Sequence, residues 1–409
     1  MADDVYGGKR VLITGISGFV GPYLAQTLVA LGAQVWGLSR HPYADRQHDS
    51  DRWHKKKGEL LRGVRLVQGD VLDLSGLMRV LDEVGPDYVF HLASRSFVGS
   101  SFEQPIECLM TNVLGTVNLL ECLRLSRARA RLLVAGSSEE YGRVALAEGD
   151  RQWLTPAPLR VPELPIDEDV PLRPVSPYAA SKVMAEWLGH IYARSYGLQV
   201  VVSRAFNHEG MGRGPQFVTS SIARQVAAVA RGERAVVELG NVVSFRDWSH
   251  VRDIVEGYVL LAARGEAGRP YNLGSERTNS VLTYLLLALE AAGMRVRRVH
   301  GLGLEGVDDP LARSPSSPFK GRADLTRIDA HLLALHLNGD AMLSAGELVV
   351  ETRAGPVLVR TMQAGRTRPV DVPVLLSDCR RARSLGFEPR RSLREVVLDQ
   401  LGEHLSAPE

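Results

Sequence analysis

The stretch "KRVLITGISGFVGPYLAQTLVALGAQVWGLSR", residues 9–40, reads as a short apolar strand, a glycine turn, an amphipathic helix opening near Phe19 and a second strand from about Gln34. That is a βαβ unit. Gly15, Gly18 and Gly21 recur at every third position where strand becomes helix. Glycines there permit a tight turn, let a pyrophosphate approach the backbone and aim the free N–H groups of the helix start at it. A glycine pattern alone also marks ordinary turns; the placement between strand and helix favours a dinucleotide site. The second strand ends "GLSRHP", with Ser39 and Arg40 where an NAD-selecting fold usually carries an acid. This favours NADP, with NAD also possible; the alternative for Arg40 is a solvated loop charge.

The alternation continues through "GVRLVQGDVLD", "PDYVFHLAS", "RLLVAGSS" and "LQVVVSRAFN", spaced widely enough for crossover helices. The expected class is α/β: a doubly wound, mainly parallel Rossmann sheet with a smaller C-terminal substrate-binding region. Residues 1–205, with returning segments at about 240–275, form the nucleotide-binding domain in this reading; 206–240 and 276–409 form the other region. Asp70 and Val71 follow a strand end, either as adenine contacts or as part of a turn. An insertion spans about 301–365: a flexible linker in "GLGLEGVDDPLARSPSSPFKG", a helix in "DLTRIDAHLLALHLNGD", and a hairpin about a Gly-Pro turn in "GELVVETRAGPVLVRT". The proline-rich stretch after Tyr141 reads as a loop over the active site.

Composition excludes several classes of function. A 409-residue chain that is 45% hydrophobic can bury a large core. Its formal charge of +2, with arginines interspersed among acids, offers no polyanion-binding stretch, so nucleic acid is not an expected partner. Cys108, Cys122 and Cys379 have neither disulfide density nor metal spacing, and His331 and His336, five apart, do not share a helix face; no metal site is expected. The N-terminus lacks the apolar core of a signal peptide, and no uninterrupted apolar run approaches the ~18 residues of a membrane span. A cytoplasmic protein without a membrane partner is the expectation.

The chemistry lies in two segments. "GSSEEYG", residues 136–142, ends an apolar strand in hydroxyls and two carboxylates, and acids there cost free energy unless solvated, paired or used. "SPYAASKVMAEWLGHIYARSYG", residues 176–197, is a periodic helix with Tyr178 and Lys182 four apart on one face of its first turn. A phenol of pKa about 10 is a poor base near neutrality, and a neighbouring ammonium lowers it. Alone, such a pair is more often a surface feature.

Taken together, "TGISGFVG", "GSSEEYG" and "YAASK" resemble the extended short-chain dehydrogenase/reductase family, nucleotide-sugar branch. "SRAFNHEGMGRGPQFVTSSIARQV", "LGNVVSFRDWSHVRDIVEGY" and "RPVDVPVLLSDCRRARSLGFEP" are similar to GDP-mannose 4,6-dehydratases and to the related GDP-4-keto-6-deoxy-mannose reductases. The resemblance implies a nucleotide diphosphate sugar as substrate, and Ser137, Tyr178 and Lys182 as catalytic hydroxyl, base and supporting lysine. Glu139 becomes the acid that takes the C5 proton, while Glu140 points away if strand geometry persists, solvated or ion-paired. It further implies cofactor contacts at Phe19, Leu92, Ala93 and His208. Substrate contacts would come from Ser96, Asn207, Phe217, Val218, Arg246 and Arg368, with an ion pair to Asp247 or Asp253 as the alternative for Arg246. Two departures stand out: Ser220 and Ser221 replace basic residues after "FVT", and Ser137 replaces a threonine. A reductase with Tyr178 as acid, an epimerase and a non-catalytic NADP sensor are the other readings. Relatives of this kind are homodimers or homotetramers, and "CLMTNVLGTVNLLECLRL" is either such an interface or core.

Overall fold

The computed structural model describes residues 5–40, 52–126, 129–152, 154–315, 325–337, 346–362 and 371–405. The opening unit forms strand β1 (Arg10–Thr14), helix α1 (Val20–Ala30) and strand β2 (Gln34–Ser39). Further parallel strands follow: β3 (Val64–Gln68), β4 (Tyr88–His91), β5 (Arg131–Ser137) and β6 (Gln199–Ala205). With Pro270–Leu273 they make a seven-stranded sheet in the order Pro270–Leu273, β6, β5, β4, β1, β2, β3, every pair parallel. β1, β4, β5 and β6 are largely buried, as near-continuous Val/Leu/Ile runs require when helices cover both faces. One face packs α1 and the helix Val251–Arg264; the other packs Leu74–Val84, Gly115–Leu125 and Pro177–Tyr196.

A second sheet runs in the order Leu304–Asp308, Val296–Gly301, Gly346–Thr352, Gly355–Thr361, Val236–Glu238. It is antiparallel except for its last pair. Here the structure departs from the expected insertion. Part of the supposed linker is a strand, Leu304–Asp308, because Val296–Gly301 offers it a hydrogen-bonding edge. The hairpin turns at Arg353 and Ala354, and Gly355 and Pro356 already belong to its second strand, paired with Thr352 and Glu351. Residues 316–321 of the linker lie outside the described residues, as do Asp324 and the end of the following helix sequence beyond Arg327–Leu337.

The proline-rich stretch also differs from expectation. Val144, Leu164, Ile166 and Val170 are buried in the C-terminal core, and Arg173 forms a bidentate buried pair with Glu163, at 2.9 and 3.0 Å. Its apolar residues draw it into that core, and none of its described residues lines the cleft below. The run Pro105–Leu125 is long and apolar enough to cross a membrane by length and composition, yet half of its most apolar window is buried. Its outer side exposes Ile106, Leu109, Met110, Leu114 and Leu125, beside Met184, Trp187 and Ile191 of the adjacent helix.

Candidate active site

Strand order reverses between β1 and β4, the switch point at which open α/β sheets bind ligands beyond their carboxyl ends. A cleft lies there. Gly15 has φ +74°, and a Cβ on it would stand 2.7 Å from the amide nitrogen of Ala93. The glycine loop therefore lies flat on the end of β4, bringing Leu92 and Ala93 beneath it. A Cβ on Gly21 would stand 2.7 Å from Ile16 Cα, so α1 also presses against the loop. Phe19 caps α1 without a side-chain hydrogen bond, and no acid occupies the first turn, so its N–H groups face the cleft without a competing carboxylate. This fits the diphosphate of a dinucleotide. Buried Lys57, which sequence reasoning missed, donates to Ser17 O at 2.6 Å and puts a cation under the same loop.

Ser39 ends β2, next to β3, and exposed Arg40 follows it. Asp70 accepts from the Leu72 amide at 2.9 Å, the geometry of a turn aspartate, while Val71 is buried against Gly115.

The catalytic candidates converge at the ends of β5 and of the helix Pro177–Tyr196. That helix starts where Ser176 Oγ accepts from the Ala179 amide at 3.0 Å with Pro177 in its first turn, and stops at left-handed Gly197, φ 71°. Tyr178 meets Ser137 in a hydrogen bond, and the Lys182 ammonium stands 5.9 Å from the centre of the Tyr178 ring, donating to Ala135 O at 2.7 Å. Burial pushes the Tyr178 phenol up; Ser137 pulls it down, and Glu139 pushes it further up. Burial lowers Lys182 to about 8. Ser137, Glu139, Tyr178 and Lys182 all line the cleft with Gly15, Gly18, Phe19, Gly21 and Leu92.

Strand geometry does not persist past Ser137. Residues Ser138–Tyr141 form a 3-10 turn, so the expectation of a solvated or paired Glu140 fails. Its carboxyl is fully buried, folds back and accepts from the Ser137 amide at 2.6 Å, while Ser137 Oγ accepts from the Glu139 amide at 3.2 Å. Glu139 alone of the two acids faces the cleft.

Opposite, Asn207, His208, Phe217 and Ser96 line the cleft. Asn207 Oδ1 is buried without a hydrogen-bond partner among the described residues. The His208 ring stacks parallel to Phe19 at 6.3 Å and donates through Nδ1 to Phe206 O at 2.9 Å. Burial, reinforced by Arg213, lowers it to about 4 and keeps it neutral. Arg213, also missed, lines the cleft with its guanidinium 3.5 Å from the centre of the Phe217 ring. Its neighbours Phe217 and Asn207 were the available signal. Val218 and Arg246 do not line the cleft. Arg246 is buried in an ion pair, with Asp371 at 2.7 Å, and also donates to Val372 O at 2.7 Å. Neither Asp247 nor Asp253 is its partner: the first accepts from Ser275 and Ser377, the second from Arg391. Arg368 lies outside the described residues.

The GDP-mannose 4,6 dehydratase family model matches residues 12–314. The chain belongs to that family. A GDP-mannose 4,6-dehydratase of Sinorhizobium fredii is 30% identical over 401 residues, 97% of each chain. A GDP-6-deoxy-D-mannose reductase of Pseudomonas aeruginosa is 32% identical over 321 residues, 78% of this chain and 90% of its own. Among solved structures, RMD from Pseudomonas aeruginosa complexed with NADPH matches with a TM-score of 0.64 at 24% identity, covering 97% of this chain and 99% of its own. UDP-glucose 4-epimerase of Thermus thermophilus, complexed with NAD, gives 0.65 at 23%, covering 98% and 100%. These two likenesses establish the Rossmann-like fold. The glycine loop and the cleft described above fall within the matched residues.

Proposed function

We propose that this chain is an NADP-dependent GDP-mannose 4,6-dehydratase that converts the nucleotide hexose to its 4-keto-6-deoxy derivative. One observation carries the reading: Glu139 faces the cleft beside Ser137, Tyr178 and Lys182, an additional acid that C4 oxidation or reduction alone does not need. The glycine loop would hold NADP, with Ser39 and Arg40 available to its 2′-phosphate, and the cofactor would supply the hydride acceptance from C4 and its return to C6.

The protein's side chains handle the protons. Tyr178 receives the proton of the C4 hydroxyl, with Lys182 buried behind it, and Ser137 hydrogen-bonds the oxygen as it becomes a carbonyl. The 4-ketone acidifies C5–H, and Glu139 takes that proton and passes it to the C6 hydroxyl, which departs as water; as hydride returns to C6 a solvent proton is added at C5, and Tyr178 releases the proton it took from O4, so that both side chains return to their starting states. Asn207, whose buried Oδ1 offers an acceptor, and Phe217 with Arg213 stacked on it hold the sugar nucleotide opposite.

The alternative with an observation in its favour is reduction of a 4-keto sugar. Ser220 and Ser221 put no cation after Thr219, and the reductase of Pseudomonas aeruginosa is as similar to the chain as the dehydratases. Incubation with GDP-mannose and other sugar nucleotides without added NADPH separates the two. Loss of one water from the substrate mass supports dehydration; no reaction until NADPH is supplied with a 4-keto sugar supports reduction. We place the protein in the cytoplasm as a homodimer or homotetramer, with the apolar outer side of Pro105–Leu125 and Met184, Trp187 and Ile191 as the contact face.

A further inference from the structure

We propose that Glu140 is a positioning residue: its carboxyl, seated under Gly136 between the Ser137 amide and the Glu186–Arg204 pair, acts as a neutral acid that ties the turn bearing Ser137 and Glu139 to the helix bearing Tyr178 and Lys182. The proposal rests on the catalytic roles given above.

The fold builds a seat for this side chain. A Cβ at position 136 would stand 2.6 Å from Glu140 Oε1 and would also collide with Ser203 O, so the carboxyl occupies space that only glycine leaves open. Oε1 accepts from the Ser137 amide at 2.6 Å. On the other side lies a guanidinium already in use: Arg204 donates to both oxygens of Glu186, at 2.8 and 2.6 Å, to Tyr141 at 2.9 Å and to Glu168 O at 3.0 Å. None of its described hydrogen bonds reaches Glu140. Two carboxyls thus share one buried arginine, and like charges at close range in a low dielectric do not both ionise.

Which acid keeps the proton follows from the surroundings. Burial would raise Glu186, but Arg204 and His190 hold it ionised, well below the usual range. Glu140 is pushed well up, first by burial and next by Glu186, against the pull of Arg204 and the Ser137 amide. Among the described residues, Tyr178 and Lys182 on the same helix as Glu186 also face it, and Tyr141 and Glu168 lie against the same Arg204. A neutral Glu140 donates its proton to Glu186 and accepts from Ser137. It therefore spans turn and helix without adding a charge that would push Tyr178 and Lys182 upward.

Glutamine reproduces both hydrogen bonds of the neutral acid, and leucine neither. On the full-length enzyme with cofactor, Glu140→Gln is expected to keep kcat within about threefold of the parent, and Glu140→Leu to lower it about tenfold or more with KM for the sugar nucleotide within about twofold. Infrared difference spectra of parent against Glu140→Gln at neutral pH should contain the C=O stretch of a protonated, buried carboxylic acid. That readout needs no substrate, so it is independent of whether dehydration is the net reaction. Equal losses in the two variants, or absence of the acid band, would mean that Glu140 works as a carboxylate and would overturn the proposal. An unchanged kcat in a folded Glu140→Leu would overturn it too. Should the leucine variant not fold, the glutamine variant and its spectrum decide.

Discussion

Replacing Glu139 by glutamine isolates the step that distinguishes dehydration from simple redox exchange. The substitution leaves the turn intact, because the contact Glu139 makes with Ser137 runs from its backbone amide to Ser137 Oγ at 3.2 Å. It also leaves C4 oxidation unhindered: the Glu139 charge pushes the Tyr178 phenol up, so a neutral amide makes Tyr178 a slightly stronger acid and easier to ionise. What disappears is the base for C5–H. A positioned general base contributes roughly 10²–10⁴ in rate, or about 2.7–5.5 kcal/mol of barrier. The 4-keto-6-deoxy product, read by its absorbance in alkali, should therefore form about 10²–10⁴ times more slowly. Deuterium placed at C4 of the substrate should still exchange with the bound cofactor at a measurable rate. A variant that eliminates water at the parent rate would remove Glu139 from the mechanism. A variant that loses C4 exchange as well would show that the damage lies in binding or geometry and not at C5.

Three other outcomes follow from the same geometry. Gly15→Ala forces a Cβ to within 2.7 Å of backbone at a φ of +74°, so NADP affinity measured by fluorescence titration should fall at least about tenfold. Arg173→Ala leaves Glu163 buried and unpaired; removing one partner of such a pair costs about 3–5 kcal/mol, so denaturant unfolding should report that loss while cofactor affinity at permissive temperature stays near the parent value. Burial lowers His91 from 6.5 to about 3, with Lys182 contributing, and His208 to about 4. Both folded values lie below the unfolded one, so the unfolded chain binds more protons through this window and stability should fall as pH drops from about 6.5 toward 4. At about 1.4 kcal/mol per pKa unit, the loss reaches several kcal/mol as an upper bound, and His91→Asn should flatten the acid limb of a pH titration of the unfolding midpoint.

What could be read in advance was what is local. The βαβ unit is legible because strand, glycine turn and helix follow one another within 32 residues and each carries its own period, and β1, α1 and β2 fall where that period puts them. The strand Leu304–Asp308 was hidden for the opposite reason: the glycines and aspartates in and beside it look like a linker, and its pairing edge belongs to Val296–Gly301, itself held by residues about fifty positions further on. Arg246 reads from sequence as a substrate contact, with an ion pair to nearby Asp247 or Asp253 as the alternative; its partner Asp371 lies 125 residues away, where no local reading finds it. The two glutamates after Ser138 show the same limit at the scale of one turn. Read as a continuing strand, Glu139 and Glu140 alternate and the second faces away into solvent or an ion pair. The chain instead tightens into a 3-10 turn, capped by Ser137, which carries Glu140 back beneath its own strand end. Such a reversal depends on a space beside Gly136 and on Arg204 and Glu186, contributed by β6 and the helix Pro177–Tyr196. No window around "GSSEEYG" contains those two residues, and that is why one acid of the pair was assigned to chemistry while the chemistry's anchor went unread.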